Sequence, residues 1–200
     1  MAGGRSRYAD PAFLRRFASL EVDSVTRGDW AALADDIATT GLLRNSSTIA
    51  VPPTGRSAPV VHASTGIEPL FRLSDDLPGH QRADVVAALT AAGRTDVLGF
   101  VATHGRLPAD PTLPERLRGV LATATQISPS GHLAMAAAVQ ACVDEAVSKT
   151  VNLPGTASPT DVYDTYATAF ELGCKGITVY VDGSRSVQPQ ALATAPATAR

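Results

Sequence analysis

Lysine is nearly missing from this chain. Of 17 basic residues in 200, only Lys149 and Lys175 are lysines, and the bases alternate with 19 acidic residues to leave a net charge of -2. No run of positive charge exists of the kind a nucleic-acid backbone requires, so nucleic acid is excluded as a partner. Cysteine is just as scarce. Cys142 and Cys174 are the whole complement, they form no CxxC pair, and without a secretory apolar segment they are expected as free thiols in a reducing compartment. No apolar run reaches the roughly 18 residues that span a bilayer, so a soluble, cytoplasmic protein with no membrane partner is expected. The four histidines stand at no ligand spacing from one another, and no metal site is expected. Aromatic residues make up only 5% of the chain, which leaves the core to Leu, Val, Ile and Ala.

What is present is a set of short α/β signals. Two hundred residues suit one domain with a substantial core. Asp10-Pro11 opens a short helix with Phe13, Phe17 and Leu20 inward, and Asp29 caps a second over 30–39 that ends at Gly41. Residues 48–51 read as a strand stopped by Pro52-Pro53. The stretch 59–62 is a strand start or an irregular segment, and 72–80 is a surface loop. A helix follows over 81–92 with Val85, Val86 and Leu89 inward. Residues 93–114 read as irregular, and Pro114 starts a helix through Ala124. Ser128 or Ser130 caps the strongest helix, with Leu133, Ala136, Val139, Gln140, Val143 and Val147 at helical spacing. A strand from Thr150, a helix opened by Ser158-Pro159 and closed by Gly173, and a strand over 177–181 complete a parallel α/β unit. A barrel and an open sheet both fit that order.

The loop after the first strand is the first chemical candidate. In Pro53-Thr54-Gly55 the proline fixes the entry, Gly55 admits close backbone approach, and Thr54 and Ser57 add donors suited to an oxyanion; it lacks the GxxxxGK[ST] pattern of a P-loop. Asn45 and Ser46 are loop residues by local pattern. Glu68, between Ile67 and Pro69, is a solvated loop carboxylate unless an apolar shell lifts it into the range of a general base. Ser148-Lys149-Thr150 has the composition of a nucleophile with its activating lysine but not the SxxK spacing, and a lysine at a helix C-terminus is also stabilised by the helix dipole. His132, near a helix start, reads as a hydrogen-bonded structural residue. Lys175 and Arg185 are read as pairing with acidic groups inside the fold.

Taken in order, Arg44-Asn45-Ser46, Pro53-Thr54-Gly55, Gly66-Ile67-Glu68-Pro69-Leu70-Phe71, the helix with His132, the segment from Asp144 to Asn152, and the segment from Gly173 to Arg185 resemble the C-terminal part of the catalytic barrel of adenosylcobalamin (vitamin B12)-dependent class II ribonucleotide reductases. The resemblance covers about residues 42–190. It implies a truncated barrel half of the α/β class, with mostly parallel strands and flanking helices, in a single domain over 1–190 followed by a flexible tail over 191–200. In that family the Pro-Thr-Gly loop helps hold the substrate diphosphate, which points to Asn45, Ser46, Pro53, Thr54, Gly55, Arg56 and Ser57 as ligand-binding residues. The family continues that loop with small hydroxyl residues, whereas this chain has Arg56, Ser57 and Ala58. Cys174 matches a structural turn of the family, and nothing in residues 1–43 reproduces the finger loop with the thiyl-radical cysteine. After Gln190 no cysteine pair follows.

The expectation is therefore a ribonucleotide-reductase-like protein without the radical and redox cysteines, binding no cofactor by itself. Three functions compete. It is a subunit of a split reductase paired with a complementary reductase-like chain, or a repurposed enzyme of specialised metabolism acting on a phosphorylated small molecule, or a non-catalytic binding or scaffold protein. Glu68, His62 and Lys149 are the catalytic candidates for the second function. A homodimer fits any of the three by covering open sheet edges.

Overall fold

The computed structural model describes residues 6–16, 24–73 and 79–185. The expected positions of Phe17 and Leu20, the loop over 74–78 and the tail over 191–200 lie outside these described residues.

The sheet that organises the site is a βαβ unit. Strand β1 (Thr150–Leu153) pairs in parallel with β2 (Thr178–Val181), Thr150 beside Thr178 and Asn152 beside Tyr180. Alternation along β1 sends Val151 and Leu153, both fully buried, to one face and Thr150 and Asn152 to the other. Helix α7 (Pro159–Glu171) connects the strands. Its start is set by Ser158 and Asp161, which satisfy each other's backbone N–H groups, with Pro159 in the first turn. Its apolar stripe and that of α6 (Pro129–Gln140) cover the buried face of the sheet, where Leu133, Val151, Leu153 and Ala169 form a core.

The expected strand over 48–51 is reduced to a single parallel bridge between Val51 and Val147. The Ile49 carbonyl is taken by the N–H groups of Asp144 and Glu145, and Pro52-Pro53 has no N–H to extend a ladder. The Ser148 N–H donates to Val51, whereas the Lys149 carbonyl accepts from Thr178. Because successive residues of a strand point their polar groups to opposite sides, the order across the sheet is the Val51 segment, β1, β2. The sheet is not closed, and among the described residues no strand lies on the far side of β2.

At the N-terminal end, α1 (Pro11–Arg15), capped by Asp10, packs on α2 (Arg27–Thr40) around Leu14, Ala34 and Ile37. The cap of α2 is Thr26, not Asp29. Asp29 sits in the first turn as the reciprocal partner, its carboxylate accepting from the Thr26 N–H at 2.7 Å. Gly41, at φ 66°, closes the helix. Asp144 ties this end to the sheet region by accepting from the Ser6 hydroxyl at 2.6 Å, the Arg7 N–H at 2.7 Å and the Thr48 N–H at 2.8 Å.

A helical lobe is inserted between Leu73 and Leu121. It consists of α3 (Gly79–Ala91), α4 (Leu98–His104) and α5 (Glu115–Val120), built around Leu73, Val85, Leu89, Val97, Val101 and Leu113. Thus the expected irregular stretch 93–114 is only partly irregular: a 3-10 turn (Thr95–Val97) runs into α4, whereas 105–114 forms no regular element. Neither has a side-chain cap, and Gly99 weakens the local preference, so burial of Val97 and Val101 stabilises what local sequence does not announce. Arg94 braces the lobe, donating to Asp96 and to Asp110 at 2.6 Å. Helix α5 stops at Val120, short of Ala124, because Thr123 and Gln126 form a capping box that starts a separate 3-10 turn (Ala124–Gln126). Ser128 caps α6; Val143 and Val147 lie beyond its end at Gln140, yet both are buried.

Candidate functional site

A cleft of about 780 Å³ lies between the sheet and the lobe. Thr150, Asn152, Thr178 and Tyr180, the face of the sheet turned away from α6 and α7, form one side of it. Pro52, Pro53, Thr54 and Gly55 form a second, and Glu68 to Arg72 with Ala124 a third. The turn is built by its own backbone: the Thr54 carbonyl accepts from the Ala58 N–H at 2.9 Å and leads into a 3-10 turn (Ala58–Val61). Thr54 Oγ1 is buried and, among the described residues, has no hydrogen-bond partner. Gly66, at φ 63°, stands opposite; a Cβ there would lie 3.6 Å from this hydroxyl.

Glu68 and Lys149 meet at the base of the cleft. Lys149 Nζ donates to Glu68 Oε2 at 2.6 Å, and the Thr150 N–H donates to Oε1 at 2.6 Å. Thr150 shares its side of β1 with Ser148, so the Glu68 carboxylate takes the N–H that a longer Val51 strand would have taken. Both oxygens are committed, and the carboxylate acts as a clamp on the sheet edge. Lys149 does not sit at a helix end; it lies between the Val147 bridge and β1 with its side chain 1% exposed. Burial pushes its pKa down, and Glu68 opposes that shift.

His132 lies behind this pair, fully buried, with Nε2–H donating to the Ala124 carbonyl at 2.8 Å. Burial lowers its pKa; Lys149 lowers it further and Glu68 raises it. The ring therefore serves as a neutral support for the cleft wall at Ala124. Lys175 donates through Nζ to the Asp144 backbone carbonyl, and its N–H to Gln140 Oε1 at 3.2 Å.

The other candidate residues are placed apart from the cleft. His62 is exposed in the left-handed region at φ 54°, ending the 3-10 turn. Arg56, Ser57, Asn45 and Ser46 are exposed and do not border the cleft, whereas Pro53, Thr54, Gly55 and Glu68 do. Sequence reasoning assigned no role to Tyr180, Asn152 or Thr150, although alternation in the two strands was the available signal. Among the described residues no group of three or more His, Cys, Asp or Glu side chains is arranged to hold a metal. No described helix is long and apolar enough to cross a membrane.

The sequence model of the ribonucleotide reductase barrel domain matches residues 5–180. The chain belongs to the ribonucleotide reductase barrel family. It is 37% identical over 171 residues to a vitamin B12-dependent ribonucleoside-diphosphate reductase of Mycobacterium tuberculosis, covering 81% of this chain and 25% of the relative. The corresponding reductase of Thermoplasma acidophilum is 33% identical over 162 residues, 76% of this chain and 21% of the relative. The fold is shared with the alpha subunit of the Actinobacillus ureae class Id ribonucleotide reductase, with TM-score 0.59 and 18% identity, over 87% of this chain and 35% of that one. The chain thus spans a quarter or less of the length of the curated reductases it matches. Within this reductase fold the two cysteines are free, Cys142 exposed and Cys174 half-buried, and neither borders the cleft.

Proposed function

We propose that this chain supplies the ligand-phosphate side of a ribonucleotide-reductase-type barrel and works with a complementary reductase-like polypeptide that brings the radical and redox cysteines and the cobalamin site. The observation that carries this reading is that, among the described residues, the outer edge of β2 has no neighbouring strand. A parallel strand with unpaired N–H and C=O groups invites another strand, and parallel sheets are ordinarily covered on both faces. The turn at Pro53, Thr54 and Gly55 borders the cleft as a phosphate-holding loop should, and its buried, unpartnered Thr54 hydroxyl supports a ligand there.

The cleft residues do not fit thiyl-radical chemistry by themselves, because no sulfur borders the cleft to abstract a hydrogen atom. The role left to these residues is to bind and orient a phosphorylated ligand.

The second reading, a non-catalytic binding protein, is favoured by the state of Glu68. With both oxygens engaged, Glu68, the one carboxylate among the described residues of the cleft, is not free to act as a base. Native mass measurement after pull-down from the source cells separates the two. A stoichiometric partner carrying the reductase cysteines is expected; a stable homodimer that recruits no such chain overturns the split-reductase proposal. Calorimetry with nucleoside diphosphates then tests the turn: Thr54→Ala should weaken binding, and unchanged heats would remove the turn from the site.

A further inference from the structure

Three buried side-chain polar atoms have no hydrogen-bond partner among the described residues: Thr54 Oγ1, His132 Nδ1 and the Tyr180 hydroxyl. Thr54 belongs to the turn discussed above, and His132 lies in the core. Tyr180 borders the cleft and has no role so far. A buried hydroxyl without a partner has lost its water and gained nothing in return, so each such group in a native fold calls for a cause.

The surroundings of Tyr180 supply one. Its partner in register is Asn152, on the same face of the sheet and also bordering the cleft. Immediately after Val181 the chain turns back: the Asp182 N–H donates to Leu153 at 3.0 Å, the Ser184 N–H donates to Val181 at 3.1 Å, and Gly183 takes φ 75°. Gly155 makes this turn possible, since a Cβ there would fall 2.9 Å from the Asp182 carbonyl oxygen. The turn delivers Arg185 to the cleft. Three donor groups, a phenol, a carboxamide and a guanidinium, therefore gather at the carboxyl ends of β1 and β2, the end of a parallel sheet where ligands bind. Among the described residues bordering the cleft, the Glu68 carboxylate is neutralised by Lys149, and Arg185 brings a guanidinium to it.

We propose that Tyr180, Asn152 and Arg185 form a second phosphate subsite, separate from the turn at Thr54 and Gly55, so that the cleft accepts a small molecule with phosphoryl groups at two points. This rests on the reading of the cleft as a phosphate-ligand site. Tyr180 and Asn152 each donate one hydrogen bond to phosphoryl oxygens and Arg185 donates a charge-assisted pair.

The test is an amide-resolved NMR titration of the full chain with inorganic phosphate, against sodium chloride at matched ionic strength. Two responsive clusters are expected, one at Thr54 and Gly55 and one at 180–185, with separate midpoints. Tyr180→Phe and Arg185→Gln should each weaken the second midpoint by about tenfold, the effect of one lost hydrogen bond to a charged group, and leave the first in place. Thr54→Val should do the reverse. Silence at 180–185 in the unsubstituted chain, equal shifts with chloride, or midpoints indifferent to both substitutions would overturn the second subsite. A response at 180–185 with silence at Thr54 and Gly55 would instead remove the turn and leave this subsite standing.

Discussion

Lys149 and Glu68 are joined at 2.6 Å across the base of the cleft, the lysine side chain 1% exposed and the glutamate 27%. The two residues lie on different segments, so the pair fastens the loop after Gly66 to the edge of β1. A buried ammonium has few alternatives to this carboxylate: its other acceptor is the Thr150 carbonyl at 2.5 Å. Removing one partner of such a pair costs more than removing both, because the survivor stays buried without compensation. Glu68→Gln is expected to destabilise the fold by ~3 kcal/mol. Combining it with Lys149→Met should recover part of the loss, read as a coupling term in a urea double-mutant cycle. Additive losses would mean that the pair is not coupled.

Acid should weaken the protein in two separate windows. His132 is harder to protonate in the fold than at its ordinary 6.5, because burial disfavours the imidazolium. The unfolded chain then binds the extra proton between the folded pKa and 6.5, so stability falls as the pH drops below 6.5 until the folded value is passed. Asp144 behaves differently. Burial acts to raise its pKa, but hydrogen bonds from Ser6, Arg7 and Thr48 outweigh it and hold it below 3.8, so its contribution is present above 3.8 and lost as the pH falls through the folded value. His132→Gln retains a donor for Ala124 and should flatten the slope of stability near pH 6 without altering the acid limb. Urea melts across the range decide this; an unchanged slope near pH 6 would assign it to another group.

The parts of the fold legible in the sequence are those whose signals are local. Ser158-Pro159 and Gly173 bound α7, Ser128, one of the two serines expected as its cap, starts α6, and a strand begins at Thr150, each in agreement with the structure. What escaped depends on distant partners. The segment ending in Val51 has strand-like residues but lost its ladder to the N–H groups of Asp144 and Glu145. Helix α4 forms around Gly99 because the lobe buries Val97 and Val101. The site follows the same division: the turn at Thr54 could be read from its prolines and glycine, whereas the engagement of Glu68 by Lys149 spans 81 positions and leaves no local trace.

Arg94 is the brace of the helical lobe. Its guanidinium, with help from Thr112, holds the Asp110 carboxyl down at about 2. Arg94→Met should let the Asp110 pKa rise toward the ordinary 3.8, measured by carboxyl-carbon NMR through an acid titration. A value still near 2 would show that Thr112 alone suffices. Because the pair is on the surface, added salt should reproduce part of the rise.

Gly155 and Gly176 give a matched pair of substitutions. A Cβ at Gly155 would lie 2.9 Å from the Asp182 carbonyl oxygen, a backbone atom that cannot rotate away. At Gly176 the nearest neighbour is the Ala146 methyl at 3.8 Å, an ordinary contact, and its φ is not positive. Gly155→Ala must therefore push the loop after β1 away from the turn that ends β2, at a cost of about 2 kcal/mol, as in other overpacked sites. Gly176→Ala should be neutral or stabilising by about 0.5 kcal/mol through the lower entropy of its unfolded chain. Thermal or urea unfolding of the two variants checks the contrast, and amide shifts should move at 182–185 for Gly155→Ala only. Equal stability of both variants would show that the exit of β2 yields to the added methyl, and with it that the placement of Arg185 does not depend on this glycine.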